Sequence, residues 1–229
     1  MRCMGVLLLL PGRSPMFPPR DKVRPGSSGL VGLGGDLRCR TLIEAYRKGI
    51  FPWAGEQPIP WYSPDPRMIL RPSAFRASRS LRKLRRQGVL EVRLDTCFED
   101  VMRACASTPR PGQDGTWISE AMIGAYRDLH EQGIAHSVEV FEDGVLAGGL
   151  YGLAMGTIFF GESMFHRRPD ASKVALWHLC ERLEAWGFAL IDCQQQTRHL
   201  ASLGAAPVDR ADFLQALAVG VGEPERWGG

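Results

Sequence analysis

The sequence predicts an α/β chain in two unequal parts: a small N-terminal α+β domain over residues 1–66 and a mixed-sheet domain over residues 67–229. Three observations carry that expectation. Pro, Gly and Ser crowd the first part, whereas helix and strand periods alternate regularly through the second. The second part runs through three consecutive strand patterns, a long helix and a short apolar strand. With 45% hydrophobic and 23% charged residues, the 229-residue chain can build a core without disulfide or metal staples.

Taken in order, MRCMGVLLLLPGR holds an apolar run too short for a membrane span, closed by Pro11 and Gly12; it reads as a first strand or a ragged extension. Residues 11–35 read as loops and turns. TLIEAYRKG predicts a short helix with Thr41 as N-cap, Glu44 at the capping-box position and Gly49 as its stop. IFPWAGEQPIPWYSPDPR carries five prolines, which exclude helix interior and central strand and predict an irregular hinge. RASRSLRKLRRQG is a basic helix ending at Gly88, VLEVRLD a strand and FEDVMRACAS a helix. SEAMIGAYRDLHEQG is an amphipathic helix between Ser119 and Gly133. AHSVEVFEDGVLAGGLYGLAMGTIFFGESMF gives three strands, turning at Glu142-Asp143-Gly144 and near Met155-Gly156. DASKVALWHLCERLEAWG is a long helix, FALIDCQ a buried strand and RADFLQALA a closing helix. Meander, long helix, buried strand is the order of an acetyltransferase-like (GNAT-type) fold.

Composition excludes little by itself, since the net charge is only +3. The six cysteines (Cys3, Cys39, Cys97, Cys105, Cys180, Cys193) are scattered, without Cys-x-x-Cys, and read as reduced thiols of a cytoplasmic protein. The five histidines show no paired metal spacing, so no metal is expected, and His136 and His178 read as structural. Walker, G-x-S-x-G and G-x-G-x-x-G motifs are absent.

Three constellations stand out. Arg76, Arg79, Arg82, Lys83, Arg85 and Arg86 fall in one window without an acid, and Arg79, Lys83 and Arg86 share a helix face; they form a solvated surface or a phosphate-backbone contact. Phe51, Trp53, Trp61, Tyr62 and Trp117 are core rings or stacking platforms, a stacked base being worth about 1–3 kcal/mol. Trp53, beside a short loop at residues 54–56, is the hardest to assign to a core. The third set is polar: Glu162 in FFGESMF, and Asp192 and Gln194 at the end of LIDCQ. An unpaired buried carboxylate is costly, so Glu162 faces water or meets a cation. Alternation puts Asp192 and Gln194 on one side of their strand, and Phe160 and Met164 on the side of Glu162, with Phe159 and Phe165 opposite.

The segments GLVGLGGDL, AYRKGIFPW, WYSPDPR, GTWI, AYRDLHEQGIAHSVEV, GGLYG, GESMF, ASKVAL, LIDCQ and HLASLGA, in this order, resemble the leucyl/phenylalanyl-tRNA–protein transferase family from about Phe17 to Leu217. The resemblance implies transfer of Leu or Phe, less readily Met, from aminoacyl-tRNA to the N-terminal Arg or Lys of acceptor proteins, a step of the bacterial N-degron pathway. It implies no cofactor and no membrane partner; a monomer is the default. By the same resemblance Trp53 and Trp117 would stack the 3′ adenosine, and the cationic window would hold the tRNA backbone. Leu150, Leu153, Ile158, Phe160, Met164, Leu179 and Ile191 would line the aminoacyl pocket. Gln194 would hold the attacking amine or the oxyanion, Asp192 would orient Gln194 and assist proton removal, and Glu162 and Asp192 would meet the acceptor's basic N-terminus. Two rivals remain: an acetyl-CoA-dependent N-acetyltransferase, disfavoured because HRRPDASKVA lacks the pyrophosphate-binding glycines, and a non-catalytic RNA-binding module, which leaves Glu162, Asp192 and Gln194 idle.

Overall fold

The structure, a computed structural model, describes residues 7–12, 16–53, 58–109 and 116–229. A four-stranded sheet has the order β1 (Leu7–Leu9), β2 (Leu30–Gly34), β4 (Pro60–Tyr62), β3 (Phe51–Pro52). The N-terminal apolar run therefore holds a strand over Leu7–Leu9, parallel to β2. The expectation of loops through residues 11–35 is corrected by β2, a glycine-rich strand that local propensity disfavours and pairing on both sides sustains. The proline segment is likewise not wholly irregular. Pro52 sits on the edge strand β3 and Pro60 opens β4, the two kinds of strand position that need no amide hydrogen. Residues 54–56, the loop expected after Trp53, lie outside the described residues.

Helix α1 runs Cys39–Arg47, so Thr41 is inside its first turn rather than at its N-cap. Asp36 competes successfully for the helix start, accepting from Arg38 N at 3.2 Å and Thr41 Oγ1 at 2.6 Å. Glu44 is drawn away from any capping box by Met16 N, Phe17 N and Lys48 Nζ, at 3.0, 2.9 and 2.7 Å. Gly49 does end the helix, at φ +72°, where a Cβ would press within 2.7 Å of Leu214.

The larger sheet has the order β11 (Ala206–Val208), β5 (Arg67–Leu70), β10 (Leu190–Gln194), β9 (Ile158–His166), β8 (Val145–Met155), β7 (Ala135–Glu142), β6 (Leu90–Leu94). Strands β6 to β9 form an antiparallel meander, with a two-residue turn whose Asp143 and Gly144 both have positive φ. Helix α5 (Ala171–Ala185) then crosses to β10, which pairs parallel to β9. The order meander, long helix, buried strand is the one expected from the sequence, and the pairing of the last strand proves parallel. Helices α2 (Arg79–Arg86) and α5 pack on one face, in a core with Leu150, Phe159 and Ile191. Helices α3 (Phe98–Ser107) and α4 (Glu120–Glu131) cover the other face, where Leu153, Ile158 and Phe160 join α1 and the small sheet in one core. The short α6 (Arg198–Ser202) and β11 precede the closing helix α7 (Arg210–Gly220). No helix among the described residues is long and apolar enough to cross a membrane.

Candidate active site

Two β-bulges on neighbouring strands build the site. Between β8 and β9, Tyr151 opposes Ser163 and the next residue, Gly152, opposes Gly161, leaving Glu162 as the extra residue. Between β5 and β10, Ile69 opposes Asp192 and Met68 opposes Gln194, so Cys193 is extra. A bulge reverses side-chain parity beyond it and turns a side chain out of the ladder. Parallel pairing of β9 with β10 ends at Phe160 and Asp192, and past that point lies a cavity of about 750 Å³. Trp53, Trp117, Glu162, Met164 and Gln194 contribute to its lining.

Within it, Gln194 Nε2 donates to Glu162 Oε1 at 2.6 Å. Gln194 itself has φ +62°, a strained conformation for a residue with a side chain. Its amide is pinned by Asp192 Oδ1 at 2.9 Å. The Tyr126 hydroxyl donates to Glu162 Oε2 at 3.3 Å and lies 2.5 Å from the hydroxyl of Tyr46. A hydrogen-bonded chain thus runs from α1 through α4 to the two bulges. Burial pushes Glu162 up to about 7, against the opposing hydrogen bonds from Tyr46, Gln194 and Tyr126 and together with the charge of Asp192. This mostly buried carboxyl at the cavity wall is poised to exchange a proton near neutral pH. Burial raises the Cys193 thiol well above its ordinary value, which removes it as a thiolate nucleophile. Burial, with Lys173 and His166 nearby, lowers His199, so this lining imidazole is neutral at pH 7.

Asp192 lies elsewhere than expected. It is fully buried and bound on both oxygens by Arg67, Nε to Oδ1 at 2.8 Å and Nη2 to Oδ2 at 2.7 Å. Arg67, also fully buried, donates to Gly49 O at 3.1 Å and lies between the rings of Phe51 and Phe213, 4.9 and 4.6 Å from their centroids. The shared side expected for Asp192 and Gln194 is undone by the Cys193 bulge. With both oxygens bonded by a buried guanidinium, Asp192 touches the site through its bond to the Gln194 backbone amide.

The expected pocket residues divide in the same way. Leu150, Met164, Leu179 and Ile191 line the cavity, but Leu153, Ile158 and Phe160 point into the opposite core, Phe160 against Tyr46 at 5.1 Å. Phe159, expected on the far side, lines the cavity instead. Side-chain alternation does not carry through this strand because Glu162 is a supernumerary residue; the isolated glycine beside it, Gly161, is the signal for it in the sequence. Tyr46, Tyr126 and Arg67 were missed, although each sits in a quoted segment, because their roles depend on partners distant in sequence. Trp61 is core and Trp53 and Trp117 are part-exposed. The cationic window is surface: Arg76 precedes α2, while Arg79, Arg82, Lys83 and Arg86 are exposed. Arg85 is already taken by Glu181, at 2.5 and 2.6 Å, and lies 4.2 Å over Trp177. His136, with Asp95 and His130, makes a cluster of possible metal donors. Protein partners engage the cluster, with His136 Nδ1 2.8 Å from Asp95 Oδ2 and His130 Nδ1 2.8 Å from Ala135 O.

Residues 69–218 match the family model described as leucyl/phenylalanyl-tRNA protein transferase, and residues 35–65 match its N-terminal domain. A Myxococcus xanthus protein named leucyl/phenylalanyl-tRNA–protein transferase is 52% identical over 226 residues, covering 98% of this chain and 96% of its own. One of the same name from Thiobacillus denitrificans is 55% identical over 203 residues, 88% and 89% of the two chains. Among solved structures, a GCN5-related N-acetyltransferase from Kribbella flavida aligns with TM-score 0.36 and 13% identity, over 77% of this chain and 63% of that one.

Proposed function

Because this chain belongs to the leucyl/phenylalanyl-tRNA–protein transferase family, an aminoacyltransferase family, we propose that the bulge-built cavity is where its acyl transfer occurs. The chain transfers an aminoacyl group from tRNA to protein. In our reading the groups are Leu and Phe, less readily Met, and the acceptors present N-terminal Arg or Lys. The observation that carries the reading is the 2.6 Å hydrogen bond between Gln194 and Glu162 at the wall of an apolar cavity flanked by Trp53 and Trp117.

The acceptor's neutral α-amine attacks the ester carbonyl: the C–N bond forms, the C–O bond to ribose breaks, and the proton that the amine loses ends on the departing ribose oxygen as its hydroxyl. The ester is activated, so holding the reactants together supplies much of the rate. With its side-chain nitrogen donating to Glu162, Gln194 offers its carbonyl oxygen to the amine's N–H rather than to an oxyanion. Glu162, poised near neutrality, holds the ammonium and takes its proton. Asp192 acts at one remove, fixing the Gln194 backbone. The aminoacyl side chain rests on Leu150, Met164, Leu179 and Ile191, the terminal adenosine stacks on Trp53 and Trp117, and Arg79, Arg82, Lys83 and Arg86 contact tRNA phosphates. No cofactor takes part.

We also propose that the chain works as a cytoplasmic monomer of two domains dividing at residues 66/67. The change from the small sheet to the large one at Arg67, and the two family matches that end at residue 65 and begin at residue 69, support the division. The test is transfer of radiolabelled Leu from Leu-tRNA to an Arg-initiated peptide. Transfer by the wild-type protein is expected, with Glu162→Ala and Gln194→Ala lowering kcat more than tRNA affinity. Intact tRNA binding without transfer would overturn it.

A further inference from the structure

We propose that Trp227, in the tail beyond the matched family region, is a specificity-determining positioning residue that fixes the depth of the aminoacyl cavity by backing Phe159. The inference rests on the cavity's assignment above. Phe159 is fully buried and lines the cavity. One side of its ring lies over Gly152, where an added Cβ would come within 2.6 Å of Cε1. The missing Cβ is what lets the ring lie down on the sheet. Trp227 stacks against Phe159, with centroids 5.8 Å apart and planes inclined by 22°.

The indole has no freedom of its own. It stacks on His136 at 4.0 Å, meets Trp186 at 5.2 Å and donates Nε1–H to Asp95 Oδ2 at 2.9 Å. His136 stands directly across from Gly152 in the β7–β8 ladder, so His136 and Phe159 share a face. The tail is tied down on either side of the last turn as well: Gly156 N donates to Glu225 Oε2 at 3.1 Å and Thr157 N to Gly220 O at 3.0 Å. Trp227 therefore acts as a fixed stop behind a wall residue that never meets solvent.

The stop bears on which aminoacyl group fits. Shortening it lets Phe159 recede, which enlarges the cavity and favours the aromatic group over the aliphatic one. A neighbouring apolar side chain is discriminated by about 10- to 200-fold per methylene. The experiment compares Leu-tRNA with Phe-tRNA as donors to one Arg-initiated peptide, for wild type, Trp227→Ala and Trp227→Phe. The Phe-to-Leu ratio of kcat/KM should rise about tenfold in Trp227→Ala and return towards wild type in Trp227→Phe. A purely structural tail would lower both donors equally; a ratio within twofold of wild type, while wild type transfers both, overturns this inference alone. Absence of transfer by wild type overturns the cavity's assignment with it. Should Trp227→Ala not fold, Trp227→Leu carries the same comparison.

Discussion

Glu162 and Arg67 are the residues on which the local chemistry turns. The carboxyl of Glu162 is raised to about 7 by burial, so its protonated form is the one that folding favours. Its contribution to stability is complete below the ordinary Glu value of about 4.3 and is lost as pH rises through about 7. Glu162→Gln keeps a neutral group in place; its Tm should exceed that of wild type by a few degrees more at pH 8 than at pH 5. The same variant should lose the part of the transfer rate that rises through neutrality in wild type, leaving only the titration of the peptide's amine. Parallel pH profiles for the two proteins would refute that role. Arg67 makes a different prediction. Removing one partner of a buried ion pair costs about 3–5 kcal/mol, so urea unfolding of Arg67→Ala should show a loss of that size. Arg67→Lys should recover only part of it, because a point charge does not replace two parallel bonds from a planar group. A loss below about 1 kcal/mol would contradict the burial argument.

The elements differ in how openly the sequence announces them. Helices α2 to α5 and strands β6 to β9 follow from apolar period and turn chemistry, with Gly88, Gly133 and Gly187 just beyond α2, α4 and α5 and turns at Asp143-Gly144 and Gly156 between the strands. Strands β2, β3 and β4 are hidden because Gly and Pro argue against strands locally, and only pairing with partners from about ten to some thirty residues away overrides them. The candidate site was half legible for the same reason. Its residue types stood out in GESMF and LIDCQ, but the facing of Phe159, Phe160 and Asp192 depends on bulges that no periodic reading contains. Helix α2 shows the limit of composition as well. Its cations are plain, yet Arg85, though exposed, is paired with Glu181 and lies over Trp177. Replacing Arg79, Lys83 and Arg86 by Ala should weaken tRNA binding and flatten its dependence on salt, by about one unit of slope per lost phosphate contact. Arg85→Ala should change that slope less and loosen α2 from α5 instead. An equal effect of all four, measured by titration across salt concentrations, would contradict the assignment.

At the scale of the molecule, the small sheet and the large one are joined through polar contacts as well as a common core. Arg67, on the large sheet, bonds the carbonyl that closes α1, and Tyr46 of α1 meets Tyr126 of α4. Both links end at the bulges, one through Asp192 and one through Glu162. Fluorescence and far-ultraviolet circular dichroism should therefore report one coincident unfolding transition. Two separated transitions would mean that the parts are energetically independent. Tyr46→Phe should lower transfer although it touches no proposed substrate contact, since it releases the far end of the chain that holds Glu162.

The paired bulges have an evolutionary corollary. Glu162 and Cys193 are surplus to the pairing of their strands, so the sheet could be completed without them. Excising Glu162 should bring Gly161 and Ser163 into uninterrupted register with β8 and return the strand to simple alternation. Such a deletion should fold at least as well as the parent and transfer nothing, as a thermal melt beside a transfer assay would register. On the proposed assignment, catalytic competence is a matter of counting: the reaction would depend on one residue too many in each of two adjacent strands. Lineages that keep the activity must tolerate those irregularities against the pull of a better-ordered sheet.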